Sequence, residues 1–68
     1  MKIYRCVERL VLPRRNRQGE HVEDMEIQAG TVFTAEEGQR DPVRLESTNG
    51  LRAVLSRATI NKYFEELA

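Results

Sequence analysis

A chain of 68 residues, 40% hydrophobic and 32% charged, has room for one modest core and none for a deep substrate cavity walled by a second layer. Its 11 Lys and Arg balance 11 Asp and Glu. The basic excess usual in a dedicated nucleic-acid binder is therefore absent, and so is the net charge that keeps copies of a small protein apart. One cysteine, Cys6, excludes an internal disulfide, and no run approaches the roughly 18 apolar residues of a membrane span.

In chain order, residues 2–12 fit two templates. Ile3, Val7, Leu10 and Val11 match a helical stripe, whereas Tyr4, Cys6, Leu10 and Leu12 match one face of a strand interrupted by Glu8. No N-cap precedes the run, three of its residues are β-branched and Pro13 follows, so the expectation is a strand with a bulge. Pro13 through Gly19 is polar and ends in Gly, which predicts the exposed tip of a long hairpin. Residues 21–28 then alternate, with Met25 and Ile27 on one face and Asp24, Glu26 and Gln28 on the other.

Ala29-Gly30 follows at once and Thr31-Val32-Phe33-Thr34 resumes a strand. Gly at the third position of such a turn supplies the positive φ of type II. Gly38 through Pro42 is a loop, and Val43-Arg44-Leu45-Glu46-Ser47 alternates cleanly. Asn49-Gly50 predicts a type I′ hairpin turn, with residues 51–55 returning antiparallel. Ser56 is an N-cap signal, and Ile60, Phe64 and Leu67 lie on one face of a helix expected over 57–67, with Tyr63 beside them. In that helix Arg57 stands near the positive end and Glu65 and Glu66 near the negative end. Either tertiary packing overrides the placement, or the acidic end meets a partner's cation.

Little in the chain is suited to catalysis. Cys6 and the lone His21 fall short of a metal site and have no third group to orient a base, so neither enzyme nor metal chemistry nor a cofactor is expected. The four glycines lie in separate turns and form no phosphate cradle. Among Glu20, Glu23, Asp24 and Glu26, the last two share a solvated strand face and are expected to pair with Arg5 or Arg9. The candidate binding patch is Arg14, Arg15, Asn16 and Arg17, with Arg9 extending it, because guanidinium forks and amides suit phosphate and sugar contacts. No aromatic stands at the tip to stack a base, and Glu20, Glu23 and Asp24 follow closely. Val43–Glu46 is expected to be an edge strand, either guarded by Arg44 and Glu46 or pairing with a partner strand.

This order of parts resembles a Src-homology-3-like small barrel over residues 2–56. An N-terminal strand with Ile3-Tyr4 leads into a charged hairpin loop, then a diverging turn reading Ala29-Gly30-Thr31-Val32-Phe33, then a tight distal turn at Asn49-Gly50. The resemblance implies about five antiparallel strands, with the C-terminal helix replacing that family's short helical turn and last strand. It does not carry over polyproline binding. The chain has no Trp, the corresponding stretch reads Pro42-Val43-Arg44, and only Tyr4 and Tyr63 remain as candidate groove aromatics. The chain also resembles short uncharacterised proteins of Gram-positive bacteria and their phages or mobile elements, which end in a motif like Ile60-x-x-Tyr63-Phe64-Glu65.

The expectation is a single mainly β domain over 1–68 with one C-terminal helix. Its expected role is that of a non-enzymatic cytoplasmic accessory module that binds a protein partner, with a homodimer through an edge strand as one form. Weak nucleic-acid binding by the 13–20 loop is the alternative.

Overall fold

The computed structural model describes residues 1–68. Its elements are β1 (Lys2–Cys6), β2 (Leu10–Arg15), β3 (His21–Ile27), β4 (Val32–Ala35), β5 (Val43–Ser47), β6 (Arg52–Leu55), α1 (Arg57–Tyr63) and β7 (Phe64–Glu66). One antiparallel sheet runs β6-β5-β4-β1-β7, while β2 and β3 form a separate two-stranded hairpin. The chain is mainly β with one helix, as the pattern of alternation requires. It is not a closed barrel of about five strands. There are seven strands, and the two ends of the larger sheet, β6 and β7, do not pair with each other.

The expected continuous strand over 2–12 is two strands. The chain breaks at Val7-Glu8-Arg9, where the Val7 N–H donates to the Tyr63 carbonyl at 2.7 Å and the Cys6 thiol donates to the Glu8 carbonyl at 2.9 Å. After the break β2 leaves the main sheet and pairs only with β3. Pro13 lies inside β2, not at a stop, because a strand with one neighbour tolerates a residue that cannot donate. The hairpin tip is correspondingly short. The Asn16 N–H donates to the Glu20 carbonyl, and the Gly19 N–H to the Asn16 carbonyl, both at 3.0 Å.

Gly30 has φ 93°, as a type II turn demands, and the Thr31 N–H closes the turn on the Gln28 carbonyl at 3.2 Å. The turn is docked on β1: the Gly30 N–H donates to the Cys6 carbonyl at 2.7 Å, and the Cys6 N–H donates to the Thr31 carbonyl at 2.9 Å. From there β3 runs off with β2, and β4 pairs with β1 from Lys2↔Ala35 to Arg5↔Val32.

The distal turn differs from the type I′ expectation. Only Gly50 has positive φ, 92°, and Asn49 does not. Ser47 and Leu51 close a three-residue loop, with the Gly50 N–H donating to the Ser47 carbonyl at 3.1 Å. This is a type I turn followed by a left-handed Gly, the usual three-residue hairpin solution. The Ser47 hydroxyl holds it by accepting the Leu51 N–H at 2.9 Å and donating to the Asn49 amide oxygen.

The C-terminus is the largest departure. The helix ends at Tyr63 and does not run to 67. Ser56 caps it as expected, its hydroxyl accepting the Thr59 N–H at 3.1 Å. Phe64 is already extended, at φ −128° and ψ 154°, and starts β7, which pairs with β1. The spacing of Ile60, Phe64 and Leu67 suits a helix. However, β1 offers an open edge that a strand can satisfy along its length, and tertiary pairing outweighs so short a helical preference. Ile60 and Phe64 are buried, while Leu67 is 47% exposed.

The core is the inner face of the larger sheet: Tyr4, Cys6, Phe33, Ala35, Val43, Leu45, Ala53, Leu55 and Phe64. Leu10 and Ile27 from the hairpin base and Ile60 from α1 cover it. Phe33 and Phe64 meet edge to face with centroids 5.6 Å apart, so the C-terminal segment docks on Phe33 through a strand. No helix is long and apolar enough to cross a membrane.

Candidate functional site

The four residues of the predicted loop patch are placed in unlike ways. Arg14 and Arg15 are on β2, not in a loop. Arg14 forms an ion pair with Glu23, directly opposite on β3, at 3.0 Å. The Arg15 guanidinium donates to the Gly19 carbonyl at 3.0 Å. The Asn16 side-chain oxygen accepts the N–H groups of Gln18 and Glu20, each at 3.0 Å, so Asn16 builds the turn. Arg17 alone projects without a protein partner. Arg9 is held by Glu26 through two hydrogen bonds, of 2.8 and 3.2 Å. That pairing holds Arg9 above its ordinary range and Glu26 below the usual carboxylate range. Of the two expected partners for Glu26, Arg9 is therefore the one used. The Asp24 carboxylate instead accepts from the His21 ring Nε2 at 2.8 Å.

Replacing Arg14, Arg15 and Arg17 together with Ala is expected to lower stability by less than about 1 kcal/mol, because the one ion pair involved is solvent-exposed and the tip buries little. A denaturant melt showing a loss above about 2 kcal/mol would mean the hairpin tip is part of the structural core.

The acidic C-terminal residues are satisfied within the chain and do not wait for a partner's cation. Glu65 pairs with Arg5 at 2.8 Å, and Glu66 with Lys2 at 3.1 Å, across the β7–β1 ladder. The hydrogen bond to Glu66 raises Lys2 above the usual lysine range. Arg57 is accounted for as well. Its backbone N–H donates to the Asp41 carboxylate at 2.8 Å, and its guanidinium donates to the Gln39 carbonyl.

Cys6 is 1% exposed, and burial pushes its thiol up from the ordinary value. His21 stands opposite Arg15, at the far end of the hairpin from the Ile27 end that joins the core. A buried, raised thiol without a base is a poor nucleophile. Cys6 in the folded protein is expected to alkylate at least about tenfold more slowly than in the unfolded chain at pH 8. Equal rates would overturn its assignment to the core. Of the candidate groove aromatics, Tyr4 is buried, and Tyr63 is half-buried with the Lys62 ammonium 5.3 Å from its ring centre.

The feature that sequence reasoning misplaced is the sheet edge. Val43–Glu46 is not an edge, since β5 lies between β4 and β6. The edge is β6. Ser47 and Leu51 are hydrogen-bonded partners, and an antiparallel ladder alternates. The paired positions are therefore Leu45/Ala53 and Val43/Leu55, and the peptide groups of Arg52 and Val54 turn away from β5. Val54 is 59% exposed. The other end of the sheet is less open, because the Phe64 N–H is taken by the Ile60 carbonyl.

Beside β6, the outer face of the sheet forms an open groove of about 610 Å³. Its lining includes Met1, Glu36, Arg44, Glu46, Arg52 and Val54. Arg44 and Arg52 are matched there by Glu36 and Glu46, so the groove has no preferred sign of charge. Its floor is held by Gln39, whose side-chain amide continues β4 past Ala35. The amide oxygen accepts the Arg44 N–H at 2.9 Å, and the amide nitrogen donates to the Arg44 carbonyl at 3.1 Å. Compared with protein-family models, curated proteins and solved structures, the chain matches none.

Proposed function

We propose that this chain is a non-enzymatic interaction module that takes up an extended segment of a protein partner alongside β6. The observation that carries the reading is the unpaired backbone of Arg52 and Val54 at an uncovered sheet edge, next to exposed Val54. An added strand satisfies such groups while side chains at alternate positions set specificity. A Src-homology-3-like arrangement goes with this reading. It is supported by the hairpin between β1 and β4, by the diverging turn at Gly30, and by the single helical segment before a last strand that returns to β1. A reducing cytoplasm suits the free thiol of Cys6.

The test uses random linear peptides selected for binding to the folded chain. Selected peptides are expected to shift the amide resonances of Arg52 and Val54 and to lose binding to a Val54→Pro variant. That substitution removes an outward donor and no bond to β5. Peptides that bind the variant as well as the parent would place the interaction elsewhere.

Arg15 and Arg17 support a second reading, weak nucleic-acid contact by the hairpin tip, because neither has a carboxylate partner. Two phosphate contacts give a slope of about −2 in log K against log salt. The expected result is retention on a DNA matrix at low salt only, abolished by the triple Arg variant. No retention at low salt excludes this reading.

A further inference from the structure

We propose that the segment β6 takes up is β6 of a second copy of this chain, the two strands running antiparallel about a two-fold axis at Val54. This inference rests on the reading of β6 as the interacting edge and names its occupant.

The backbone is self-complementary in this register. Val54 opposite its own copy lets each Val54 N–H donate to the other's carbonyl. The next outward pair sets Ser56 against Arg52 of the second copy. The Ser56 N–H has no acceptor within the chain, and continuing the ladder's alternation by one residue past Leu55 turns it away from β5, whereas the Ser56 carbonyl already accepts the Ile60 N–H at 3.0 Å. Each Ser56 N–H then donates to an Arg52 carbonyl, for four bonds across the axis.

The side chains agree with the backbone. Residues 52 and 54 are on the outer face and residues 53 and 55 on the core face. Because the axis pairs even-numbered residues with even-numbered ones, the two outer faces lie on one side and the two cores on the other. Exposed Val54 covers its own copy, and Ala53 falls opposite Leu55, small against large. An added strand from β7 would not do this. Its outward residues, Phe64 and Glu66, have their side chains on the core side of the sheet, so one copy would be turned over.

Charge excludes one register: moving the axis from Val54 to Arg52 sets Arg52 against Arg52. The Val54-centred pairing sets Arg52 against Ser56, leaves it beside Glu46 at 3.8 Å, and keeps the two arginines apart. The chain's net charge of zero imposes no long-range repulsion between copies. A strand of four residues buries less than the roughly 1,000 Å² of a stable interface, so the dimer is weak and depends on concentration.

The test is sedimentation equilibrium of the full chain from about 10 μM to about 1 mM, the range in which a small interface assembles. The mean mass is expected to rise toward twice the monomer's. Val54→Pro should remain monomeric. Val54→Arg, which sets like charges against each other at an exposed site that folding does not need, should weaken association at least about tenfold. Val54→Cys should give a covalent dimer under mild oxidation, with buried Cys6 left unmodified. A wild-type chain that stays monomeric to about 1 mM, or a dimer that persists in the Arg variant, overturns the proposal. If peptides selected on the chain still require Val54, only the second-copy occupant falls. If they do not, the edge reading falls with it.

Discussion

Phe33→Ala is expected to cost about 3–5 kcal/mol, which is most or all of the stability of so small a domain. Phe33 has no exposed surface and stands opposite Tyr4 on one side and Ser47 on the other, in the middle of the sheet. Its ring also takes the edge-to-face contact with Phe64 that docks β7. Truncation removes the apolar transfer energy, leaves a cavity that β1, β4 and β5 cannot all close, and loosens the last strand with it. Urea unfolding followed by circular dichroism should show a chain largely unfolded in the absence of denaturant. Phe33→Leu, which refills most of the space, should keep a cooperative transition. A loss below about 1.5 kcal/mol for the Ala variant would put the centre of the core elsewhere.

Gly30→Val is expected to destabilise by about 2–3 kcal/mol through the backbone alone. At φ 93° an L-residue is strained, and a β-branched one more so, yet a Cβ built at Gly30 meets nothing within 4 Å. Steric collision is therefore not part of the cost, and Gly30→Ala should lie within about 1 kcal/mol of the Val variant. A D-alanine at this position, placed by chemical synthesis, should match or exceed the parent. The comparison is made on midpoints of denaturant unfolding. An Ala variant as stable as the parent would show that the turn relaxes to a different type. The effect is large because this turn also carries the two hydrogen bonds that tie the β3–β4 connection to Cys6.

The sheet was legible where alternation has only one physical outcome. The alternation of buried and exposed residues along β5 and β6 follows directly from Val43-Arg44-Leu45-Glu46-Ser47 and Arg52-Ala53-Val54-Leu55. The Gly30 turn and the Ser56 cap were legible for the same reason, since each is a local device whose partners lie within four residues. The Asn49-Gly50 turn was legible as a turn but not as a type. Ser47, through its side chain, draws the loop into a three-residue form that the dipeptide rule does not describe.

The candidate site was less legible. Arg14, Arg15 and Arg17 read as one basic patch because they are close in sequence. The cross-strand register puts Glu23 against Arg14, and the turn consumes the amide oxygen of Asn16. The exposed edge was assigned to β5 when it belongs to β6. A hairpin of two alternating strands gives no indication of which one has a further neighbour, and that was decided by β4 pairing with β5. Glu65 and Glu66 looked misplaced at the end of a helix, and they are well placed opposite Arg5 and Lys2 on a strand.

The sequence by itself determined what is local and periodic: a small, mainly β domain, the positions of its turns, the inward residues of each strand, and the start of the helix. Only the tertiary structure decided where the helix stops, which strand is left uncovered, and which charges are neutralised. Those outcomes depend on long-range pairing of β1 with both β4 and β7, contacts between residues about thirty and about sixty positions apart respectively. The free energy of satisfying an open strand edge and burying Phe64 against Phe33 outweighs the few tenths of a kcal/mol by which local propensity favours another helical turn.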